Sequence, residues 1–464
     1  MASVVVVGAG MCGSLAAMLL AKDGHDVVVL ERDPAPPPAT ADEAWDDWER
    51  RGVRQFHMGH FFLPRFQQEL QREFPEILET LRAAGAFAFN TIADMPEEIS
   101  GGWRDGDERF TGLTGRRPMV EAILGEALDA SSATVRRGVA VKRLVTVGSD
   151  PVDIIGVESE AGETFLADLV VDAGGRQSAM PRLLAEAGAA GPVEDGEDCG
   201  YIYYGRTFRS EDGSLPPSFG AGVQHYESIS TLTLTADNGT WFCGIVSSAA
   251  DKAARKLRDV DVFEKVWRGY PLVAHWHDGI PLDGVKTMAG LDDRIRHYCT
   301  DDGPVATGLA ALGDAWACTN PSVGRGASIG LVHALELRDH LLDNSTDDRI
   351  GFAQTWHDRT EASVRKWYDD TLISDRARLA EIDAQIAGTE YVADDPLSEA
   401  FYAGSSAIMH DPELVRPYLD IFMLYRTKSE VFADDELRQR FVSSASDEPA
   451  PGLTRSELLA LLGG

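Results

Sequence analysis

The stretch Ser3–Asp33 reads SVVVVGAGMCGSLAAMLLAKDGHDVVVLERD, and it decides the fold. Ser3 to Val7 is a β-branched run of the kind found in strands buried on both faces. From Met11 to Lys22, the apolar residues Met11, Leu15, Met18 and Leu19 recur at helical spacing, and Asp26 to Glu31 is a second buried run. Strand, glycine turn, helix and strand within about thirty residues make a βαβ unit. Its two strands should be parallel and its crossover right-handed, so a doubly wound sheet begins here.

The turn itself, Gly8-Ala9-Gly10-Met11-Cys12-Gly13, carries chemistry. Its glycines permit a tight bend, close approach of backbone to a diphosphate, and close packing of helix on strand, while the helix N-terminus offers free N–H donors to an anion. Glu31 ends the second strand, where a carboxylate accepts hydrogen bonds from a ribose 2′-OH and repels a 2′-phosphate. In a βαβ setting these features predict FAD or NAD and argue against NADP; a turn kept only for packing is the plainer alternative. Residues Ala2 to Ala21 contain no charge, yet Gly8, Gly10 and Gly13 interrupt the apolar run and no basic segment precedes it. Neither a targeting segment nor a membrane span is expected.

Composition narrows the class further. The chain has 464 residues, 75 acidic against 43 basic, for a net charge of −32, with 44% hydrophobic and 25% charged residues. These proportions are those of a soluble globular protein and exclude disordered and fibrous chains. The negative charge repels phosphate backbones and anionic lipid, so nucleic acid is not an expected partner. Cys12, Cys199, Cys243, Cys299 and Cys318 are odd in number and scattered without a CxxC pair. They suggest neither a disulfide framework nor a zinc site, and reduced thiols in a cytoplasmic protein fit best.

Further along, Pro34 to Arg54 reads as a surface excursion, first Pro-rich and then acidic. Phe61 to Ala84 shows one helical stripe through Phe66, Leu70, Phe74, Ile77, Leu78 and Leu81, stopped by Gly85. Pro118 opens a helix with Val120, Ile123, Leu124 and Leu128 on one face; Thr134 to Val141 follows as a strand. Val152 to Asp172 reads as a hairpin turning near Ala161 and Gly162 and ending in Leu169, Val170 and Val171. Tyr201–Phe208, Ile229–Thr235 and Trp241–Val246 alternate, with a turn at Asp237-Asn238-Gly239, which predicts an antiparallel sheet in a second domain. Val305 to Leu312 is again a buried strand, Gly326 to Leu342 a helix, and the chain from Phe352 onward mostly helical, with a capping box at Thr454 and Glu457.

A second constellation lies at Gly313-Asp314-Ala315 and Asn320-Pro321-Ser322-Val323-Gly324-Arg325-Gly326. A carboxylate at the end of a buried strand can hydrogen-bond a polyol, and Gly324 and Gly326 let backbone N–H groups lie against a flat ring. The helix that follows points its positive end at that ring, which favours negative charge on a reduced flavin. An ordinary strand-turn-helix would show the same glycines. Gln55, His57 and His60 sit where the chain can pass near such a ring, and His57-x-x-His60 lacks a third ligand for a metal.

Three segments, GAGMCGSLAAMLLAKDGHDVVVLERD, LVVDAGGRQSAM and ALGDAWACTNPSVGRGASIG, together resemble the fingerprints of FAD-dependent monooxygenases of the para-hydroxybenzoate hydroxylase fold, in order and in spacing. The stretch GVRQFHMGHFFLPRFQQELQREFPEILETLRAAGA and the NPxxGxG form are most similar to the branch holding bacterial polyether epoxidases and squalene-epoxidase-like enzymes. The resemblance implies an α/β fold: a Rossmann-like FAD-binding domain, an inserted antiparallel-sheet substrate domain and a helical C-terminal region. Residues 1–85, 107–190 and 296–345 would be the three parts of the FAD-binding domain, 86–106 and 191–295 the substrate domain, and 346–464 the C-terminal region.

By the same resemblance Gly8, Gly10, Gly13 and Glu31 would hold the adenosine diphosphate half of FAD, with Arg32 beside the adenine and Arg117 reaching the cofactor from a neighbouring helix. Asp314, after Gly313, would bind the ribitol, and Pro321, Gly324 and Gly326 would line the isoalloxazine. Asp172 heads the middle fingerprint, but Ala-Gly-Gly follows it where aromatic hydroxylases have Gly directly after Asp, so a nicotinamide role and a turn-capping role both stand open.

The activity implied is insertion of one oxygen atom from O₂ into a small, largely apolar or aromatic metabolite, giving an epoxide or a hydroxyl. Tyr201, Tyr203, Phe208, Trp241 and Phe242 would either shelter that reaction or form ordinary core. The chain has no second GxGxxG, so electrons would come from NAD(P)H bound transiently or from a partner flavin reductase. Competing readings are a reductase of the geranylgeranyl-reductase type, which shares NPxxGxG; a halogenase, whose WxWxIP pattern is missing; and a non-catalytic binding protein of the Rab-escort kind.

Overall fold

The computed structural model describes residues 1–464 other than 149, 220, 323, 394, 447–449 and 464. Val323, in the second glycine loop, thus lies outside the described residues. Ser3–Val7 and Asp26–Glu31 are parallel neighbours on either side of the helix Met11–Lys22, in the register Ser3↔Asp26 through Val7↔Leu30. Leu169–Asp172 pairs with the other edge of Ser3–Val7, Leu309–Ala311 extends the sheet on that side, and Thr134–Arg137 closes it on the other. All five strands are parallel. The first strand is therefore flanked on both sides, and Val7, Glu31, Asp172 and Ala311 end at one common edge, the place where open α/β sheets bind ligands.

Both faces of this sheet are covered. Val4, Val6, Val27, Val29 and Val171 pack against the helices Met11–Lys22, Arg117–Ala130 and Gly326–Asp343. Val5, Leu30 and Val170 pack on the other side against Leu144, Ile154 and Leu183. Sandwiched between sheet and helices, Met11–Lys22 buries every residue from Gly13 to Ala21, so it has no polar stripe.

Four of the expected elements are cut by local chemistry. The single helix expected over 61–84 is two, Pro64–Glu73 and Pro75–Ala83: Pro75 drives Phe74 out of helical geometry, to φ −141° and ψ 62°. The strand expected over 134–141 stops at Arg137, because Gly138 turns the chain at φ +72° and Val141–Val147 joins a second, antiparallel sheet. The hairpin expected over 152–172 is Val152–Ser159 with Thr164–Leu166, and Leu169–Asp172 leaves it for the parallel sheet. The strand expected over 305–312 breaks at Gly308, φ +71°, whose missing side chain would stand 2.1 Å from the Ile154 carbonyl oxygen. Ala306–Thr307 then pairs with Val152–Ser159 and Leu309–Ala311 with Leu169–Asp172.

The alternating segments form one antiparallel sheet, with Tyr201–Arg209 and Ile229–Thr235 flanking Thr240–Ser248. Asn238 and Gly239 take left-handed φ of 52° and 65° in the hairpin turn. The alternation sorts the aromatics. Phe208 and Trp241 face back onto Trp267, Tyr270 and Trp276 and are core of the far side, the ordinary-core alternative for these two. Tyr201, Tyr203 and Phe242 share the front face with Met58, Met288 and Ile382.

The long helix Arg365–Ala387 lies across that front face. Tyr201 Oη donates to the Asp375 carbonyl at 2.7 Å, and Arg378 donates to the Tyr226 and Ile229 carbonyls at 2.9 and 2.7 Å. The helices from Pro396 to Ser444 gather a further core around Leu414, Val415 and Phe441, and Thr454 and Glu457 close the expected capping box. Among the described residues no helix is long and apolar enough to cross a membrane.

Candidate functional site

At the common strand edge the first glycine turn is built from two kinds of glycine. Gly8 has φ +107°, and a side chain there would meet the Ala173 carbonyl oxygen at 2.6 Å; one on Gly13 would meet the Gly8 oxygen at 2.0 Å. Both are demanded by packing inside the protein. At Gly10 an added Cβ would find nothing within 4 Å. Gly10 caps a helix whose first turn has neither a side-chain cap nor an acidic residue, so an uncompensated positive helix end faces this open space.

Glu31, 5% exposed, ties the turn to the second strand. Its Oε2 accepts from the Ala9 N–H and its Oε1 from the Asp33 N–H, each at 2.9 Å. Arg50 approaches the same carboxylate at 3.3 Å and the Ala9 carbonyl at 3.3 Å, with Asp33 at 3.6 Å and Glu121 at 3.7 Å. Sequence reasoning missed Arg50; its only signal is a basic pair, Arg50-Arg51, at the end of an acidic surface stretch. Arg32 is exposed, and its guanidinium lies against Gly52, where a Cβ would be 2.2 Å from Nη2.

Arg117 opens its helix as expected and is held from two sides. Its Nε donates to Glu121 Oε1 at 2.6 Å and its Nη1 donates to His60 Nε2 at 3.1 Å. A guanidinium can only donate, so the His60 proton is on Nδ1, which donates to the Met58 carbonyl at 2.9 Å. Burial, with the Arg117 charge adding to it, pushes the His60 pKa down to about 3 and keeps the ring neutral. His57 bonds the Trp45 carbonyl at 2.9 Å instead, and Gln55 enters the turn through its backbone carbonyl. These three residues do not converge on one point.

Asp172 ends its strand fully buried. Its Oδ1 accepts from the Gly174 N–H at 3.0 Å and its Oδ2 from Ser178 Oγ at 2.6 Å, the geometry of a turn cap. Burial raises its pKa.

The second glycine loop docks onto the first. Cys12 Sγ donates to the Gly330 carbonyl at 3.4 Å, and a side chain on Gly313, φ +53°, would stand 3.1 Å from the same sulfur. The Gly313 N–H donates to Nδ1 of the buried His333 at 3.2 Å. Asp314 follows at the sheet edge, half-buried, and its carboxylate makes no hydrogen bond or ion pair with a described residue. Pro321 is exposed, and Gly324, φ +68°, has the Phe61 carbonyl oxygen 2.8 Å from where its Cβ would be. Gly326, like Gly10, faces open space at the uncapped start of a helix, Gly326–Asp343.

Around this loop sequence reasoning missed most of the supporting groups. Asn320 donates its N–H to Asp293 at 2.5 Å and accepts from Tyr203 Oη, and Ser322 Oγ donates to Asp375 Oδ1 at 2.6 Å. Burial pushes Asp293 up to about 6 and Asp375 up to about 7. Arg325, 2% exposed, donates to Asp370 Oδ2 at 2.8 Å, to Thr371 Oγ1 at 3.1 Å and to the Ile421 carbonyl at 3.1 Å.

Residues 3–92 match the family model described as FAD dependent oxidoreductase. Protein Rv3254 of Mycobacterium tuberculosis is 28% identical over 352 residues, 73% of this chain and 72% of that protein. Among solved structures, CmlS, a flavin-dependent halogenase, superposes with a TM-score of 0.62 at 17% identity, over 95% of this chain and 77% of its own. A flavoprotein/dehydrogenase from Cytophaga hutchinsonii gives 0.62 at 15% identity, over 96% and 98%. PqsL of Pseudomonas aeruginosa, described as a probable FAD-dependent monooxygenase, gives 0.58 at 16%, over 82% and 99%. The chain thus shares the fold of flavin-dependent enzymes, and its N-terminal residues 3–92 match the FAD dependent oxidoreductase model.

Proposed function

We propose that the chain is an FAD-dependent monooxygenase that inserts one oxygen atom from O₂ into a small, largely apolar or aromatic metabolite, as an epoxide or a hydroxyl. The observation that carries this reading is the joint between Tyr203 and Asn320: it fastens the apolar front face of the antiparallel sheet directly to the second glycine loop. A closed apolar wall there would exclude water and orient an electron-rich acceptor.

The residues present fit FAD. Gly10 and Gly326 leave backbone open to space at two uncapped helix ends, and Asp314 holds a half-buried carboxylate without a hydrogen-bond or ion-pair partner among the described residues. A buried or half-buried acid without a partner is costly unless a ligand supplies the donors. Gly8, Gly10 and Gly13 would cradle the diphosphate, and Glu31 the ribose, with Arg32 and Arg50 on the adenosine side. Arg117 would reach the cofactor from its helix; Asp314, after Gly313, would take the ribitol, and Pro321, Gly324 and Gly326 the ring. When bound and reduced, FAD supplies the activation of O₂.

The cap geometry of Asp172 supports a structural role there, so reducing equivalents would come from NAD(P)H bound transiently elsewhere or from a partner reductase. The branch of epoxidases suggested by the loop motif remains the finer part of this proposal. The test is consumption of NADH and NADPH by FAD-loaded protein, with and without a reductase, across a panel of alkenes and arenes under ¹⁸O₂. One labelled oxygen in the product is the expected result. Equal product formation without oxygen would replace this reading by a reductase, and product only with added halide would replace it by a halogenase.

A further inference from the structure

Behind the second glycine loop lies a buried charge cluster. Lys428 has 0% exposed surface; its Nζ donates to Asp370 Oδ2 at 2.8 Å and to the Asp370 carbonyl at 2.6 Å. The ammonium stands 4.6 Å from the centre of the Phe401 ring. The same Asp370 carboxylate, in a residue 4% exposed, receives Arg325, the residue between Gly324 and Gly326. Two cations thus share one carboxylate in a region closed to water.

The helix Arg365–Ala387 contributes Asp370 and Asp375, the loop contributes Arg325, Pro396–Ala407 contributes the Phe401 ring and Tyr402, and Pro412–Phe422 contributes Tyr418 and the Ile421 carbonyl; burial holds both tyrosines above their ordinary pKa and neutral. On the short helix of Lys428 itself, Glu430 is turned to the Thr427 N–H and to Lys366. Asp375 is the second carboxylate acting on Lys428, and its Oδ1 accepts from Ser322 of the same loop, while Asp293, which accepts from the Asn320 N–H, acts in turn on Asp375. With Asp375 protonated, the cluster carries a surplus of one positive charge, and Arg325 is also the N-cap of Gly326–Asp343, whose positive end points the same way. A second buried cation without its own counterion is expensive. An anion held on the open side of the loop would offset that cost.

We propose that Lys428 is a positioning residue that acts through Asp370 and Arg325, holding positive charge behind the loop and thereby favouring the anionic, reduced form of the flavin. The inference rests on the reading that FAD lies against Pro321, Gly324 and Gly326. Burial and the Arg325 charge draw the Lys428 pKa down to about 8 while Asp370 opposes them, so the surplus is lost as pH rises through that value. Asp375, raised to about 7, removes charge first as it ionises.

The test is the midpoint potential of FAD on the full-length protein, by dye equilibration from pH 6 to 9, with FAD affinity and far-UV dichroism measured alongside. Lys428→Met should shift the oxidised-to-reduced ratio at pH 6.5 about tenfold towards oxidised, about 30 mV for a two-electron couple. Lys428→Arg should keep the wild-type potential. Asp375→Asn, which retains the surplus until Lys428 itself deprotonates, should raise the potential above wild type between pH 7 and 8, and it carries the test if Lys428→Met fails to fold. A folded, FAD-loaded Lys428→Met with the wild-type potential, or Asp375→Asn without its rise, overturns the proposal while leaving the flavin reading intact. Wild-type protein that binds no FAD overturns both.

Discussion

The Cys12 thiol and the Gly330 carbonyl meet at 3.4 Å, joining the N-terminal ends of two helices that lie more than three hundred residues apart in the chain. Burial and the nearby Asp314 carboxylate push the thiol pKa up to about 12, so the sulfur remains a protonated donor. Through this contact the two open glycine positions, Gly10 and Gly326, belong to helices that converge at one sheet edge.

Asp314→Ala should weaken FAD binding by about 1.5–3 kcal/mol, the range for a hydrogen bond to a charged group, or about 10- to 150-fold in Kd. Because the carboxylate has no hydrogen-bond or ion-pair partner among the described residues, the melting temperature of the FAD-free form should stay the same or rise. Fluorescence titration with FAD and thermal melts of stripped protein check both halves.

The two glycine types predict opposite phenotypes. Gly13→Ala would place a Cβ 2.0 Å from the Gly8 oxygen, a backbone atom that cannot move aside cheaply, so the FAD-free protein itself should lose stability. Gly10→Ala meets nothing within 4 Å and should melt like wild type, yet bind FAD more weakly. Melting curves beside FAD titrations of the two variants separate these effects.

Asp375 gives a pH signature in stability. Its folded-state pKa of about 7 lies above the ordinary aspartate value of about 3.9, so the folded chain holds the proton more tightly than the unfolded one. That contribution is fully present below pH of about 4 and is lost as pH rises to about 7. Asp375→Asn cannot ionise, and its melting temperature should therefore fall less than that of wild type between pH 5 and pH 8. An equal fall in both would contradict the assignment.

Phe242 is gripped by glycines from three segments: its own strand, the neighbouring strand and a loop. A Cβ on Gly205 would lie 1.9 Å from its ring, one on Gly59 2.4 Å and one on Gly244 2.8 Å. Phe242→Ala should leave a cavity between the loop 52–60 and the sheet and cost about 3–5 kcal/mol, read by chemical denaturation. On the proposed function, the same variant should turn over bulkier substrates than wild type.

The parts legible from sequence are those written in short-range pattern. The βαβ unit, its glycine turn and Glu31 follow from residues within one span of about thirty, and the capping box at Thr454 and Glu457 from a spacing of three. Breaks at Phe74, Gly138 and Gly308 were also local, but a run of apolar residues looks the same whether it makes one long element or two shorter ones. The aromatics were legible as a group and not by face, because alternation reveals two faces without telling which one a helix from residue 365 onward will cover.

By itself the sequence determined the parallel sheet, the edge where its strands end, and the glycines placed there, since backbone conformation and hydrophobic period depend on near neighbours. Tertiary structure alone decided that Arg50 stands over Glu31, that His60 holds Arg117, that Asp172 caps its own turn, and that Arg325 and Lys428 share Asp370. A charged residue in a sequence shows no partner. Only folding removes the water that would otherwise solvate it, and the closest group of opposite charge is then set by which distant elements pack together.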